Sequence, residues 1–403
     1  MYILRIHLEK QRMGAPAAGS ASACLSDRPA LSFSFMAMNV ILFTSAANTS
    51  GGSRQALYLA QGLADRGHSV RFFIPARSDL PDLAPEASFW RPFSDARNWR
   101  KDIEAAVRDL AQNGNPVVLH AFHNAAVKRA AWWGLFLKKQ ALVVAHRGVI
   151  FRPNNPLPYW SSGVDAFLVN SRACAKILRG IGLSSKRLFY VPNCVPDSRL
   201  AAPVPSGALR SALGIDPDAP VFLCIGGNKP YKGVKELLHA FAQAFPPATG
   251  TAGPHLIVLG VTPALWQPLL ERLGQSGRIH CLERSEDVGS YLAAATAFVL
   301  PSLSESMPNT LLEAVRAGLP CIGTQVGAVS DILRDTEAPC GLVVLPGDVP
   351  ALAEAMRRIV DEPELRASLA AAALNQGDAY KPEKRIALVE SIYTQLLHKK
   401  GLL

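Results

Sequence analysis

The chain reads as two α/β domains in tandem, each a parallel sheet covered by helices on both faces. Three features say so. Short, continuously apolar runs recur along the chain, and such runs mark strands buried on both faces. Between most of them lie helix-period segments entered through Gly, Ser or Asn turns, the strand–loop–helix–strand order of a parallel sheet. A Pro-containing break at 201–219 stops the pattern, which then restarts. The length of 403 residues agrees, because domains run at roughly 150 residues each.

The elements follow in order. Residues 1–37 are Ala- and Ser-rich and lack the long apolar core of a secretory signal. A strand pattern begins only after Met38, so 1–37 is expected to be a disordered leader or a mis-assigned start. In the first domain, 38–200, strands are expected at 40–43, 70–74, 117–119, 141–144, 166–169 and 188–191. Its opening helix, 53–64, follows Ser50-Gly51-Gly52, buries Ala56, Leu57, Leu59, Ala60 and Leu63, and stops at Arg66-Gly67-His68. Helices at 101–112 and 172–180 follow. In the second domain, 201–380, strands are expected at 221–225, 255–259, 278–282, 297–300, 320–323 and 341–344, with helices at 233–245, 265–274 and 309–317. A last helix at 383–397, within 381–403, is expected to return onto the first domain.

Composition narrows the class. Apolar residues at 49% exclude a largely disordered chain, and ordinary Gly and Pro usage excludes collagen-like and low-complexity chains. No run of 18 apolar residues predicts a membrane-spanning helix. The seven cysteines, at 24, 174, 194, 224, 281, 321 and 340, form no Cys-x-x-Cys pair. Reduced, mostly buried thiols in a cytoplasmic protein are expected, with no metal site.

Charge divides unevenly. Residues 38–200 hold 21 Lys and Arg against 10 Asp and Glu, whereas 201–403 hold 17 against 20. The basic first domain implies a negatively charged partner: anionic lipid, acidic glycan or nucleic acid. Nucleic acid is set aside, because no known binding module or interleaved aromatic pattern is visible. The segment Lys128-Arg129-Ala-Ala-Trp132-Trp133-Gly-Leu135-Phe136-Leu137-Lys138-Lys139 suits a helix lying on an anionic membrane surface. The alternative is that Trp132, Leu135 and Phe136 are core and the lysines merely solvated.

The richest constellation follows the strand ending at Pro301. It reads Ser302-Leu-Ser-Glu305-Ser306-Met307-Pro308-Asn309-Thr310-Leu-Leu-Glu313-Ala314. Glu305 falls where open α/β sheets bind ligands, beyond the strand's carboxyl end. The helix from Asn309 offers free backbone N–H groups and a positive dipole end to a phosphate. Ser306, Asn309 and Thr310 can add side-chain donors, and Glu313, one turn in, can accept from ribose hydroxyls.

Here the sequence resembles the retaining glycosyltransferases of the GT-B fold, family 4 type. The resemblance lies in the Glu-x7-Glu spacing of Glu305 and Glu313, the preceding Pro-Ser, and Glu313 to Pro320 read as Glu-Ala-x3-Gly-Leu-Pro. It continues through Gly327 and the Gly341 to Gly347 run. Upstream, Gly226-Gly227-Asn-Lys229-Pro-Tyr-Lys232-Gly233 is similar to the family's phosphate loop. Ser50-Gly51-Gly52, Gly67-His68, Asn170-Ser171 and Val191-Pro192-Asn193 are similar as well.

The resemblance implies two Rossmann-like domains facing a cleft. It implies a nucleoside diphosphate sugar donor, UDP or GDP type, and a glycan or lipid-linked acceptor. Lys232 would neutralise the departing diphosphate, Glu305 would contact the donor sugar, and Glu313 the ribose. Gly51 and Gly52 would let the backbone approach the donor, with Gly226, Gly227, Lys229 and the 306–310 loop also on it, and the base against backbone around Leu282. No metal or other cofactor would be required. The family's arginine falls at Gly227, so Lys229 is its nearest substitute, without the bidentate fork.

Two histidine loops follow first-domain strands. His146 is expected to polarise the donor sugar, with His120, His123 and Arg147 on the acceptor; His68 is expected to be structural. A nucleotide-sugar epimerase and an inactive glycan- or nucleotide-sugar-binding scaffold remain alternatives on this architecture.

Overall fold

A computed structural model describes residues 37–95, 98–247, 253–334 and 336–403. The expected leader falls outside them up to residue 36, as does Cys24.

The strands are β1 (Asn39–Thr44), β2 (Ser69–Ile74), β3 (Trp90–Pro92), β4 (Val117–Phe122), β5 (Ala141–Arg147), β6 (Ala166–Val169) and β7 (Leu188–Tyr190), then β8 (Val221–Ile225), β9 (His255–Leu259), β10 (Ile279–Leu282), β11 (Ala297–Leu300), β12 (Cys321–Thr324) and β13 (Gly341–Val344). The helices are α1 (Gly51–Asp65), α2 (Trp99–Ala111), α3 (Asn124–Leu137), α4 (Leu157–Trp160), α5 (Arg172–Gly180) and α6 (Ser206–Ala212), then α7 (Val234–Ala244), α8 (Pro263–Arg272), α9 (Val288–Ala294), α10 (Asn309–Arg316), α11 (Val329–Leu333), α12 (Val349–Asp361), α13 (Pro363–Gly377) and α14 (Pro382–Lys400).

Two parallel sheets result, as the apolar runs predict. The first has the order β3-β2-β1-β4-β5-β6-β7 and the second β10-β9-β8-β11-β12-β13. In the first, Val40 aligns with Val70 on one side and Val118 on the other. The winding direction reverses between β1 and β4 and again between β8 and β11. At such a switch point the loops leave in opposite directions and open a crevice beyond the carboxyl ends.

Strand alternation splits each sheet between two cores. Ile41 and Phe43 pack with Trp99, Ile103 and Trp133 under α2 and α3. Val40 and Leu42 face α1 and α14, where Ile386, Val389, Tyr393 and Leu397 join the same core. The C-terminal helix thus lies on the first sheet. His68 helps anchor it: Met38 N–H donates to Nδ1 at 3.1 Å, so Nε2 carries the proton and donates to Glu390 Oε1 at 2.8 Å.

β3 is not marked by any apolar run. It is a short edge strand ending in a proline, which an edge tolerates because the missing N–H has no neighbour to meet. The six described cysteines are free thiols, and five are buried. Trp133 and Leu137 enter the core, while Trp132 and Phe136 are 61% and 54% exposed. Among the described residues no helix is long and apolar enough to cross a membrane.

Candidate active site

The two switch points face one another across a cavity of about 460 Å³. Its lining comes from the loops after β1 (Ser50, Gly51, Gly52), β4 (His123, Asn124) and β5 (Arg147, Gly148) on one side. Lys232, after β8, and Glu305, Met307, Pro308, Asn309 and Thr310, after β11, form the other side.

Local sequence explains how each group is presented. Ser50 caps α1 by accepting from Ser53 N–H, so the chain turns into the helix at Gly51-Gly52. A side chain at either glycine would meet a neighbour, across the cleft for Gly51 and within the first domain for Gly52. An added Cβ at Gly51 would lie 2.8 Å from Asn309 Nδ2, and one at Gly52 would lie 2.9 Å from His123 Nε2. The 3-10 turn Pro230–Lys232 ends at Gly233, whose φ of 68° suits only glycine comfortably. That turn aims Lys232 Nζ at Glu305 Oε1, 2.7 Å away, and Ser302 Oγ donates to the same oxygen at 3.1 Å. Glu305 is the one carboxylate among the described residues lining the cavity. No side chain caps α10, so its first N–H groups remain available to a ligand.

Asn309 braces the two domains. Its Nδ2 donates to the Gly51 carbonyl at 3.2 Å, and its Oδ1 accepts from Asn193 at 2.7 Å and from Gln55 at 3.4 Å. His123 is the only non-glycine residue with positive φ among the described residues, at φ 69°, ψ 154°. A side chain held there stores about 1–3 kcal/mol of strain, and such strain concentrates at functional sites. Thr44 Oγ1, 2.7 Å from Nδ1, fixes the ring.

Several expectations are corrected. His120 does not reach the cleft: it is fully buried in β4, and its Nδ1 meets the Tyr393 hydroxyl of α14 at 2.5 Å. Strand alternation turns it to the opposite face from Ala121. Arg147 lines the cavity, but its guanidinium is committed to Asn124 Oδ1, the Tyr159 hydroxyl and the Phe151 carbonyl. Its two Nη groups thus staple the 148–160 segment, while Nε makes no hydrogen bond among the described residues. Ser306 is buried and donates to Asn170 Oδ1 at 2.7 Å. Lys229 is exposed, with Nζ 5.9 Å from the Tyr231 ring centroid. It, Gly226, Gly227 and Leu282 lie outside the cavity lining. Leu282 uses its carbonyl to accept from Gly260 and Val261 N–H.

His146 does line the cavity, with its ring stacked on Phe122 at 4.9 Å. Burial first, then Arg385 and His123, pushes its pKa down to about 3. The imidazole is therefore neutral at ordinary pH. Glu313 sits behind Asn309 beside a smaller void, with Oε1 accepting from Arg199 Nε at 3.0 Å. Burial raises its carboxyl above the usual range against the pull of Arg199 and Arg54. Thr44, Gln55 and Arg199 were not singled out by sequence reasoning, since a hydrogen bond between distant loops leaves no local pattern.

The model of the glycosyl transferases group 1 family matches residues 219–362, and that of Glycosyltransferase Family 4 matches 49–199. The chain belongs to the GT-B glycosyltransferases of the family 4 type. Among relatives of this glycosyltransferase, LpsE of Rhizobium meliloti, a lipopolysaccharide core biosynthesis glycosyltransferase, is 25% identical over 75% of this chain and 88% of its own length. The lipopolysaccharide glucosyltransferase WaaG of Escherichia coli is 28% identical over 49% of this chain, which spans about half (54%) of that relative. Among solved structures, Anabaena HepE in complex with UDP superposes with a TM-score of 0.75 at 16% identity, covering 89% of this chain and all of that one. The crystal structure of a WaaG, a glycosyltransferase involved in lipopolysaccharide biosynthesis, superposes with a TM-score of 0.61 at 19% identity, over 88% of this chain and 99% of that one.

Proposed function

We propose that this glycosyltransferase moves a sugar, with retention of configuration, from a nucleoside diphosphate sugar of UDP or GDP type to a hydroxyl on an envelope glycan or lipid-linked acceptor. The observation that carries the reading is the meeting of Lys232 and Glu305 with the Gly51-Gly52 turn and the open N-terminus of α10. A diphosphate seated there meets a cation and unpaired N–H groups, which stabilise charge as the leaving group departs. In this reading that charge is handled without a metal ion. Retention is supported by the lack of a free carboxylate base among the described residues of the lining, where Glu305 is tied to Lys232. The neutral His146 suits hydrogen bonding to sugar hydroxyls rather than proton abstraction.

Relatives named for lipopolysaccharide synthesis support an envelope acceptor. So does one face of the first domain. Trp132, Phe136, Phe151, Leu157 and Trp160 are exposed on α3, α4 and the loop before α4, and no acidic residue lies between Asp109 and Asp165. Such a face suits an anionic membrane bearing a lipid-linked acceptor. An inactive scaffold or an epimerase finds less support, because the Lys232–Glu305 pair stands intact in an open cleft.

Thermal stabilisation against UDP, GDP, ADP and CMP, first without metal and then with magnesium, tests the reading. A ligand at 100 times its Kd stabilises by about 2.7 kcal/mol. A metal-independent response to one diphosphate supports the donor site and identifies the base; silence across the panel refutes it.

A further inference from the structure

Glu313, which the family resemblance assigns to the donor ribose, belongs to a chain of charges that links the two domains. Its Oε1 is held by Arg199 Nε at 3.0 Å, while Oε2 is buried without a hydrogen-bond partner. Arg199 closes the 3-10 turn Asp197–Arg199, just before the segment that joins the domains. Its Nη1 donates to the Glu286 carbonyl at 3.0 Å and lies 3.7 Å from the Glu286 carboxylate. Glu286 follows β10 in the second domain. Its carboxylate accepts from Arg54 of α1, in the first domain, at 2.6 Å. Arg284, from the same loop, reaches Thr49 Oγ1 at 3.2 Å.

The donor's role for the Gly51-Gly52 turn does not account for this arrangement. Glu286 is largely exposed, and an exposed ion pair by itself contributes little. The geometry, however, joins α1 of the first domain (Arg54), the second domain (Glu313) and the turn before the connecting segment (Arg199) at one small void, with Glu286 of the second domain bridging the two arginines. Arg54, Tyr58, Arg199, Asn309 and Glu313 line that void, and Asn309 also lines the main cavity. A buried carboxylate with one oxygen fixed and the other unpartnered is set to accept one more hydrogen bond.

We propose that Arg199 is a positioning residue: it fixes one oxygen of Glu313 so that the other meets the donor ribose, and through Glu286 and Arg54 it ties ribose recognition to apposition of the two domains. This rests on Glu313 being the ribose ligand. Without Arg199 the carboxylate loses its anchor and turns within the void. Without Glu286 or Arg54 the anchor remains but its link to the first domain is cut.

The test is calorimetric binding of UDP and of 2′,3′-dideoxy-UDP at fixed salt, with the two guanine counterparts in parallel. A hydrogen bond to a charged group is worth roughly tenfold to a hundredfold in affinity, so the native chain should prefer the ribonucleotide by that factor. Glu313→Gln should remove most of the preference. Arg199→Gln should do the same with Glu313 untouched, Arg199→Lys should keep part of it, and Glu286→Gln and Arg54→Gln should each lose a smaller share. A merely structural role would weaken both nucleotides equally and leave their ratio intact; that result in Arg199→Gln overturns the proposal. Should that variant fail to fold, unchanged ratios in Arg199→Lys and Glu286→Gln overturn it equally. An unchanged ratio in Glu313→Gln instead refutes the ribose reading itself. Failure of the native chain to bind any of the four nucleotides refutes the donor site and the proposal together.

Discussion

Gly233→Ala separates the role of backbone shape from that of charge in this cleft. Gly233 has φ 68°, and an added Cβ would lie 2.0 Å from the Pro301 carbonyl oxygen, where real Cβ contacts essentially never fall below 3.0 Å. The turn and the end of β11 must therefore separate by about 1 Å. The left-handed conformation costs an alanine roughly 1–2 kcal/mol, and a clash with backbone typically adds about 1–3 kcal/mol. The expected loss is about 2–5 kcal/mol, or roughly 4–20 °C in Tm at about 2–4 °C per kcal/mol. Catalysis should suffer separately. Lys232 precedes Gly233 and Glu305 follows Pro301, so both members of the 2.7 Å pair flank the collision. A misplacement of about 1 Å costs on the order of a hundredfold in rate. Melting curves and release of nucleoside diphosphate from the donor sugar provide the assay. Gly227→Ala is the control, because the nearest atom to its added Cβ is 4.0 Å away. It should shift Tm by no more than about 2 °C, as an unhindered substitution does. If Gly233→Ala is as mild as Gly227→Ala in both assays, the reasoning is wrong.

Other outcomes follow from the same geometry. Lys232→Met should lower kcat by about a hundredfold to a thousandfold, as removal of a preorganised leaving-group donor does; a loss under about tenfold in steady-state kinetics would remove Lys232 from that role. Tyr393→Phe strands the buried Nδ1 of His120, whose Nε2 already lacks a partner, and should cost about 1–3 kcal/mol in urea unfolding. The acceptor KM should not move; a rise would restore His120 to the acceptor site. His146 has its pKa lowered from 6.5 to about 3, so it is neutral when folded and takes up a proton on unfolding. Its contribution to stability is present above pH 6.5 and is lost as pH falls through 6.5 toward 3. His146→Phe should therefore lose less stability than the native chain between pH 7.5 and 5.5, measured by urea midpoints; equal losses would contradict the burial argument.

Much of the architecture was written locally. A strand covered on both faces must be apolar throughout, so β1, β5, β8 and β11 announce themselves, and helices α1, α7 and α10 follow from their period and their turns. The carboxyl-end rule puts the Glu305 loop in a ligand crevice without coordinates, whereas Lys232, Gly51 and Gly52 are assigned to that cleft by the resemblance to the family's motifs. β3 escaped, since an edge strand of three residues has no core to fill. The fates of His120, Arg147 and Ser306 escaped for a different reason. The strand patterns expected at 117–119 and 141–144 stop short of His120 and Arg147, which lie inside β4 and β5, and no local pattern shows which group takes each side chain: Tyr393 for His120, Phe151 and Tyr159 for Arg147, Asn170 for Ser306. The sequence by itself determined two parallel-sheet domains in tandem, because apolar period and turn chemistry are properties of neighbours along the chain, and their meeting at a cleft was implied only by the family resemblance. Only the tertiary structure decided which polar groups remain free in that cleft, because a hydrogen bond already made between distant loops withdraws its donor from any ligand.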